Sequence, residues 1–295
     1  MRLGAIEAGG TKFVCAIGDV DGKIEKRMQF PTTTPEETLL AVREFFANET
    51  VDAVGIGSFG PIDVNRTSKT YGYVTTTPKA GWSNFPFLQA VKEIVGAPVG
   101  FTTDVNAAAL GELTLGAAQG AGSCLYVTVG TGIGGGAVMK GELLEGITHP
   151  EMGHIRVRRH EQDTYAGNCP YHSDCLEGLA AGPAIEKRWG QKGSQLVDRP
   201  EVWETEAHYL GEAVATWILT LSPERIVLGG GVMKQRQLLP LIHKHVKEAL
   251  NGYVSFEAYT SKIEETIVSP GLGDDAGITG CLLLAERARK KGRSS

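Results

Sequence analysis

The chain has 295 residues, 42% of them hydrophobic and 21% charged, an ordinary globular balance that leaves room for two lobes with substantial cores. A formal net charge of −5 with no basic stripe argues against a nucleic-acid partner. No apolar run reaches the ~18 residues of a membrane span, residues 1–10 lack the pattern of a secretory leader, and five cysteines, an odd number, read as cytoplasmic thiols.

Leu3–Glu7 and Lys12–Gly18 read as strands of a hairpin with a Gly-Gly-Thr turn. Pro35–Asn48 has helical spacing, with Leu39, Val42 and Phe46 on one face. Val51–Gly57 and Pro98–Thr103 read as buried strands, and Asn106–Leu115 as a helix. Leu125–Val129 and Gly135–Met139 form a second hairpin around Gly130-Thr131-Gly132. A helix is predicted over 203–221, where Trp203, Ala207, Leu210, Val214, Trp217, Ile218 and Leu221 recur at its period. Arg225–Leu228 is a strand running into Gly229, Leu238–Leu250 and Ala276–Ala288 are helices, and Arg287–Ser295 is a basic, frayed tail. Cys15, Cys124 and Cys281 lie in apolar stretches and are expected to be buried.

The two hairpins are similar. Each has an apolar strand, a Gly/Thr turn, a second apolar strand and a glycine-bearing turn after it, about 120 residues apart. That pattern predicts an internal duplication, with both turns facing one cleft. Backbone N–H groups in such a turn converge on one spot and suit phosphate oxygens. Thr11 and Thr131 add hydroxyls, Lys12 adds a charge, and Gly229-Gly230-Gly231 supplies a third glycine turn. Either turn alone could be a plain tight hairpin. Neither fits the G-x-x-x-x-G-K-[ST] phosphate loop, and neither opens a helix in the dinucleotide-binding manner.

Asp104 stands where a strand ends and a helix begins. A carboxylate there can take a proton from an attacking hydroxyl, and the helix N-terminus favours its ionised form; the same position also suits a simple N-cap. His154 with Cys169, His172 and Cys175 offers four nitrogen and sulfur ligands, the set of a closed tetrahedral structural zinc site. Nearby His160, Asp163 and Asp174 read as solvated loop residues. Glu151 and Glu177 flank the zinc loop; they are either surface residues or carboxylates held toward a cleft where they bind polyol hydroxyls.

These segments resemble the ROK family (repressors, open reading frames and kinases) of the actin-like ATPase and sugar kinase superfamily, and within it the bacterial zinc-containing fructokinases. The resemblance rests on Glu7–Lys12, Gly57–Pro61, Thr103–Glu112, Gly130–Gly134, Pro150–His154, the Cys169–Cys175 loop and Leu228–Val232, spanning about residues 3 to 285. It implies an α/β, actin-like (ribonuclease H-like) two-lobed fold. Residues 1–115, with the C-terminal helix at about 276–290, would form one lobe, and 116–275 the other. It implies Asp104 as catalytic base, with Gly9, Gly10, Thr11 and Lys12 facing the transferred phosphate. Thr131 and Gly132 would hold the other phosphates, with Gly229, Gly230, Gly231, Val232 and Met233 on the adenosine side and Pro183 near the nucleotide. Gly60, Pro61, Asp104, Glu151 and Glu177 would meet the sugar, and His154, Cys169, His172 and Cys175 would hold zinc. ATP, Mg²⁺ and structural Zn²⁺ are the implied cofactors, fructose the implied acceptor, and a cytoplasmic homodimer the implied state.

Two departures bear on the sugar. Many family members carry Asp where this chain has Glu7, and Asn-Asp where it has Thr103-Asp104, so Thr103 lacks an amide to offer a sugar hydroxyl. The C-x-C-G-x2-G-C loop common in family glucokinases is also absent, and both differences favour fructose over glucose or mannose. A repressor of the family would need an N-terminal helix-turn-helix, for which the turn at residue 9 is expected to leave no room.

Overall fold

Short apolar runs closed by glycine make strands here, and amphipathic stretches between them make helices. The structure is a computed structural model that describes residues 1–292. The first half runs β1 (Leu3–Ala8), β2 (Lys12–Gly18), β3 (Ile24–Pro31), α1 (Pro35–Phe46), β4 (Ala53–Ser58), α2 (Phe87–Val95), β5 (Val99–Thr103) and α3 (Asp104–Leu115). The second half begins with β6 (Ser123–Val129), β7 (Ile133–Met139) and β8 (Glu142–Leu143), then α4 (Leu176–Ala180), α5 (Gly182–Trp189) and the long α6 (Pro200–Leu221). It closes with β9 (Arg225–Gly229), α7 (Leu238–Leu250), α8 (Ile263–Thr266), β10 (Ile267–Val268) and α9 (Ala276–Gly292).

The strand orders are β3-β2-β1-β4-β5 and β10-β9-β6-β7-β8. In each sheet a three-stranded antiparallel meander is extended in parallel from its first strand, by β4 and β5 in one and by β9 and β10 in the other. The two sheets therefore share one topology, as the paired hairpins imply. Each has its own core. Phe13, Trp82, Phe87 and Phe101 pack against the first sheet, and Trp203, Tyr209, Leu210 and Ile242 against the second. Cys15, Cys124 and Cys281 are buried and unpaired.

Seven of the elements described escape the sequence patterns: β3, α2, β8, α4, α5, α8 and β10. β3 is an edge strand that exposes Glu25, Lys26 and Arg27, leaving Met28 and Phe30 as a short apolar signature at its end. α2 is short and has no side-chain cap. The predicted frayed tail is corrected as well: α9 continues to Gly292, held by Arg289 on Glu286 at 2.7 Å and by Arg287 donating to the Gly141 carbonyl at 2.9 Å. Residues 293–295 lie outside the described residues.

α9 lies on β1, β4 and β5, and α3 lies against α9 and against β6 and β7 of the other sheet. These contacts are made by backbone. A β-carbon at Gly280 would fall 1.7 Å from the Ala107 carbonyl oxygen, and one at Gly136 would fall 2.4 Å from the Asn106 nitrogen. Asn106 fixes α3 in place: its Oδ1 accepts from Ala137 N at 3.0 Å and its Nδ2 donates to Thr102 Oγ1 at 3.1 Å. At the other end of α3 the buried Glu112 carboxylate accepts from Ala117 N, Gly271 N and Leu272 N at 2.7, 2.9 and 3.0 Å. It ties α3 to the segment entering α9. Glu112→Ala strands three backbone N–H groups, at about 1–3 kcal/mol for each one left unmet by water. A loss of about 3–5 kcal/mol is expected in urea unfolding, and a loss below about 1 kcal/mol would refute this role.

Candidate active site

α3 begins at the C-terminal end of β5, and its first residue is Asp104. The helix cap is Thr103, whose Oγ1 accepts from Asn106 N at 3.1 Å. Asp104 is therefore not needed as a cap. Its Oδ1 accepts from Val105 N at 2.9 Å, and the carboxyl lies deep in the space between the sheets. That burial pushes its pKa up to about 7, with the Glu7 and Glu151 charges adding to the rise against the Val105 N–H. The expectation that the helix N-terminus would favour the ionised form is thus outweighed by desolvation. A carboxyl poised near neutrality is matched to proton transfer.

Asp104 lines a cavity of about 480 Å³ together with Glu7, Lys12, Gly229, Gly230 and Met233. Asp104, Lys12 beside the first turn, and the Gly229–Gly230 corner are thereby brought to one space, while Gly9, Gly10 and Thr11 do not line it. Glu7 is half-buried on β1, and desolvation raises its pKa while the Lys12 ammonium opposes the rise. Lys12 also reaches Gln29 Oε1 at 3.3 Å. The same cavity is lined by Tyr126, Lys234 and Asp274, which sequence reasoning missed. Lys234 directly follows the Gly229–Met233 segment, a signal that could have found it.

The second turn opens on a neighbouring cavity, also of about 480 Å³, lined by Gly130, Thr131, Gly182, Pro183, Trp203, Gly231 and Val232. Gly182 N donates to the Gly130 carbonyl at 2.8 Å, which seats the start of α5 against the turn. Pro183, Thr131 and the Gly231–Val232 corner thus meet at one place. Gly132 faces Glu177, whose Oε2 accepts from Ile133 N at 3.0 Å and would lie 2.7 Å from a β-carbon at Gly132. Glu177 therefore braces the second turn, and its Oε1 stands 4.0 Å from His154 Nε2.

On the other side, a β-carbon at Gly60 would lie 3.1 Å from His149 Cε1 and 3.4 Å from Glu151 Oε1. The buried His149, also missed from sequence, accepts the Ile62 N–H at Nε2 (3.0 Å), and its Nδ1 lies 3.7 Å from Glu151. Gly60, Pro61 and Glu151 thus gather at one edge of the cleft.

His154, Cys169, His172 and Cys175 also converge, with donor atoms all within 4.8 Å of one another. Cys175 Sγ is 3.4 Å from His154 Nδ1, and Cys169 Sγ is 3.7 Å from both His154 Nδ1 and His172 Nδ1. Tetrahedral zinc, with bonds of about 2.0–2.3 Å, sets its ligands roughly 3.4–3.8 Å apart, so this donor set fits the ion. A hairpin pairs Cys169 with Ser173 at 3.1 and 2.9 Å and turns His172 toward the cysteines. One neighbour departs from expectation. Asp163 is not solvated: its carboxylate is buried against Arg188 at 3.0 Å and accepts from Tyr209 Oη at 2.5 Å. Asp174 pairs with Arg156.

A model of the ROK family matches residues 3–288. The chain belongs to the ROK family. A relative called a putative fructokinase, from Bacillus subtilis, is 56% identical over 97% of this chain and 96% of its own. A fructokinase from Pediococcus pentosaceus is 48% identical over 98% and 99%. The crystal structure of a ROK hexokinase from Thermus thermophilus superimposes with a TM-score of 0.81 at 29% identity, covering 99% of this chain and all (100%) of that one. The ROK chain described here therefore has the actin-like ATPase fold, with its two sheets as the duplicated halves. Among the described residues, no helix is long and apolar enough to cross a membrane.

Proposed function

We propose that this ROK protein is a fructokinase that transfers the γ-phosphoryl group of ATP to O6 of fructose. The observation that carries the reading is the single cavity that joins the Asp104 carboxyl to Lys12, Gly229 and Gly230. The names of the 56% and 48% identical relatives support fructose as the acceptor.

In this reading ATP lies with its adenosine side along Gly229–Met233 and Pro183. The Thr131–Gly132 turn holds the inner phosphates, and Gly9–Lys12 face the transferred group. Fructose lies beside Gly60, Pro61 and Glu151, with Glu177 behind. Asp104 accepts the O6 proton as the oxygen attacks phosphorus, and the leaving ADP carries the other charge. Glu7 and Asp104 present hard carboxylate oxygens to this space, a donor set suited to Mg²⁺ shared with phosphate. Mg²⁺ would neutralise charge on the phosphoryl oxygens. Zinc at His154, Cys169, His172 and Cys175 would have four protein ligands and no open position, so it would shape the loop and take no part in the chemistry. Residues 1–115 with α9, and residues 116–275, would close on each other and exclude water. The unpaired thiols suit the cytoplasm, and a homodimer is the expected state.

A coupled ADP-release assay over fructose, mannose, glucose and N-acetylmannosamine tests the acceptor. Fructose is expected to give the highest kcat/KM, by at least about tenfold, a lower bound for a site whose polar groups are left unpaired by the wrong sugar. A higher value for glucose would overturn the assignment.

A further inference from the structure

Lys79 stands between the first phosphate turn and the acceptor edge, and the expected reaction gives it no task. It belongs to the segment Thr77–Trp82, which has an unusual anchor. Trp82 is fully buried, its rings packed against Phe13 and Phe59 at 5.6 and 5.4 Å, and its Nε1 donates to the Thr33 carbonyl at 2.7 Å. Trp82 N donates to the Lys79 carbonyl at 3.1 Å, so the backbone at Lys79 is held by that anchor. The side chain then reaches over Gly10: a β-carbon there would lie 3.2 Å from Lys79 Cε and 3.8 Å from Nζ. The ammonium also sits 5.8 Å from the Phe59 ring, next to Gly60. Among the described residues it has no carboxylate partner. Lys12, the other cation of this turn, is engaged by Gln29.

A half-buried, unpaired ammonium beside a glycine turn is a point charge waiting for an anion. We propose that Lys79 contacts the phosphoryl group from the acceptor side, first as the γ-phosphate of ATP and then as the phosphate of the sugar product. It donates hydrogen bonds throughout and stays protonated, so no proton leaves it. The loose transition state spreads charge over the phosphoryl oxygens, and a fixed cation there is worth most during transfer. The role deepens the phosphotransfer reading above and rests on it.

The test compares the intact protein with Lys79→Met, which keeps the apolar stem over Phe59, and with Lys79→Arg, which keeps the charge. Lys79→Met is expected to lower kcat roughly 10²-fold, the cost of removing one preorganised charge-stabilising donor, with KM for fructose within about threefold. Product inhibition by fructose 6-phosphate should weaken at least about tenfold, and Lys79→Arg should restore part of both. An unchanged Tm would confirm that the substitution leaves the fold in place. A purely structural Lys79 would instead raise the fructose KM and leave product inhibition alone, which would overturn the role. Wild-type kinetics in Lys79→Met would overturn it too, with the kinase reading intact. No turnover of any hexose by the wild-type protein would overturn both.

Discussion

Asp104→Asn is expected to lower kcat by about 10³-fold or more while leaving the affinity for ATP within about threefold. Proton acceptance by a placed carboxylate is worth about 10²–10⁴-fold, and the amide cannot accept the proton. The turns that would hold ATP do so through backbone N–H groups and Lys12, which the substitution leaves in place, and asparagine keeps an oxygen in the shared cavity, so nucleotide binding survives. A variant that kept most of its turnover would show that another group is the base. The same substitution is expected to raise stability. Burial lifts the Asp104 pKa from its ordinary value to about 7 in the folded protein. Below about pH 4 the group is protonated in folded and unfolded chains alike and makes no difference. As the pH rises toward 7 the unfolded chain loses its proton more readily, so wild-type stability falls through this group. Asparagine does not titrate, so its gain grows across that window and levels off above about pH 7. Three pKa units correspond to about 4 kcal/mol at most, so a rise of several degrees in Tm at pH 8 is expected, with none at pH 4. A fall at pH 8 would contradict the burial of this carboxyl. Catalysis reads the same titration: kcat/KM should drop about tenfold per pH unit below about pH 6, with its midpoint near 7 in the free enzyme. Bound Mg²⁺ and ATP would move the midpoint in kcat downward, because a cation beside the carboxylate favours its ionised form.

What was legible in the sequence follows from what is periodic or local. The two hairpins carry their own glycines, so their turns and their likeness could be read directly, and the C-x2-H-x2-C spacing exposes the cysteine–histidine cluster. β3 could not be read that way, because its apolar face is only Met28 and Phe30, preceded by the exposed Glu25, Lys26 and Arg27. The protonation of Asp104 was misjudged for a different reason. The helix N-terminus is local and visible in sequence, whereas desolvation by the second sheet and the nearness of Glu7 and Glu151 arise only when distant segments meet. Asp163 reads as a polar loop residue, yet Arg188 from α5 and Tyr209 from α6 enclose it. Asp274 reaches the cavity, and His149 reaches the Ile62 backbone, through tertiary placement alone. Glu177 shows how far one side chain can connect features: it sits beside His154 and also holds the backbone of the second glycine turn.

That connection predicts what removing zinc will do. Residues 155–168 contain neither helix nor strand, a length at which a bare loop in a folded domain needs a tether. The four donors close it, and without an ion the two sulfurs and two imidazoles are crowded together with no common partner. Purified protein is expected to hold about one zinc per chain, and Cys175→Ser or a strong chelator to remove it. Structural zinc in small finger peptides is worth about 10–16 kcal/mol; here the second sheet and α6 fold around their own core, so the loss should be smaller, about 3–5 kcal/mol. In a chain of this size that lowers Tm by roughly 10 °C. Kinetically the loss should be selective. A loosened loop releases His154, then Glu177, then the Ile133 N–H of the second turn, and on the other side Glu151 beside Gly60, the edge proposed to meet the sugar. The fructose KM should therefore rise about tenfold or more, the ATP KM less, and added zinc should reverse both. Protein that contains no stoichiometric metal even after refolding with zinc would remove the ion from this account. A metal-free variant with an unchanged fructose KM would break the link between the loop and the sugar.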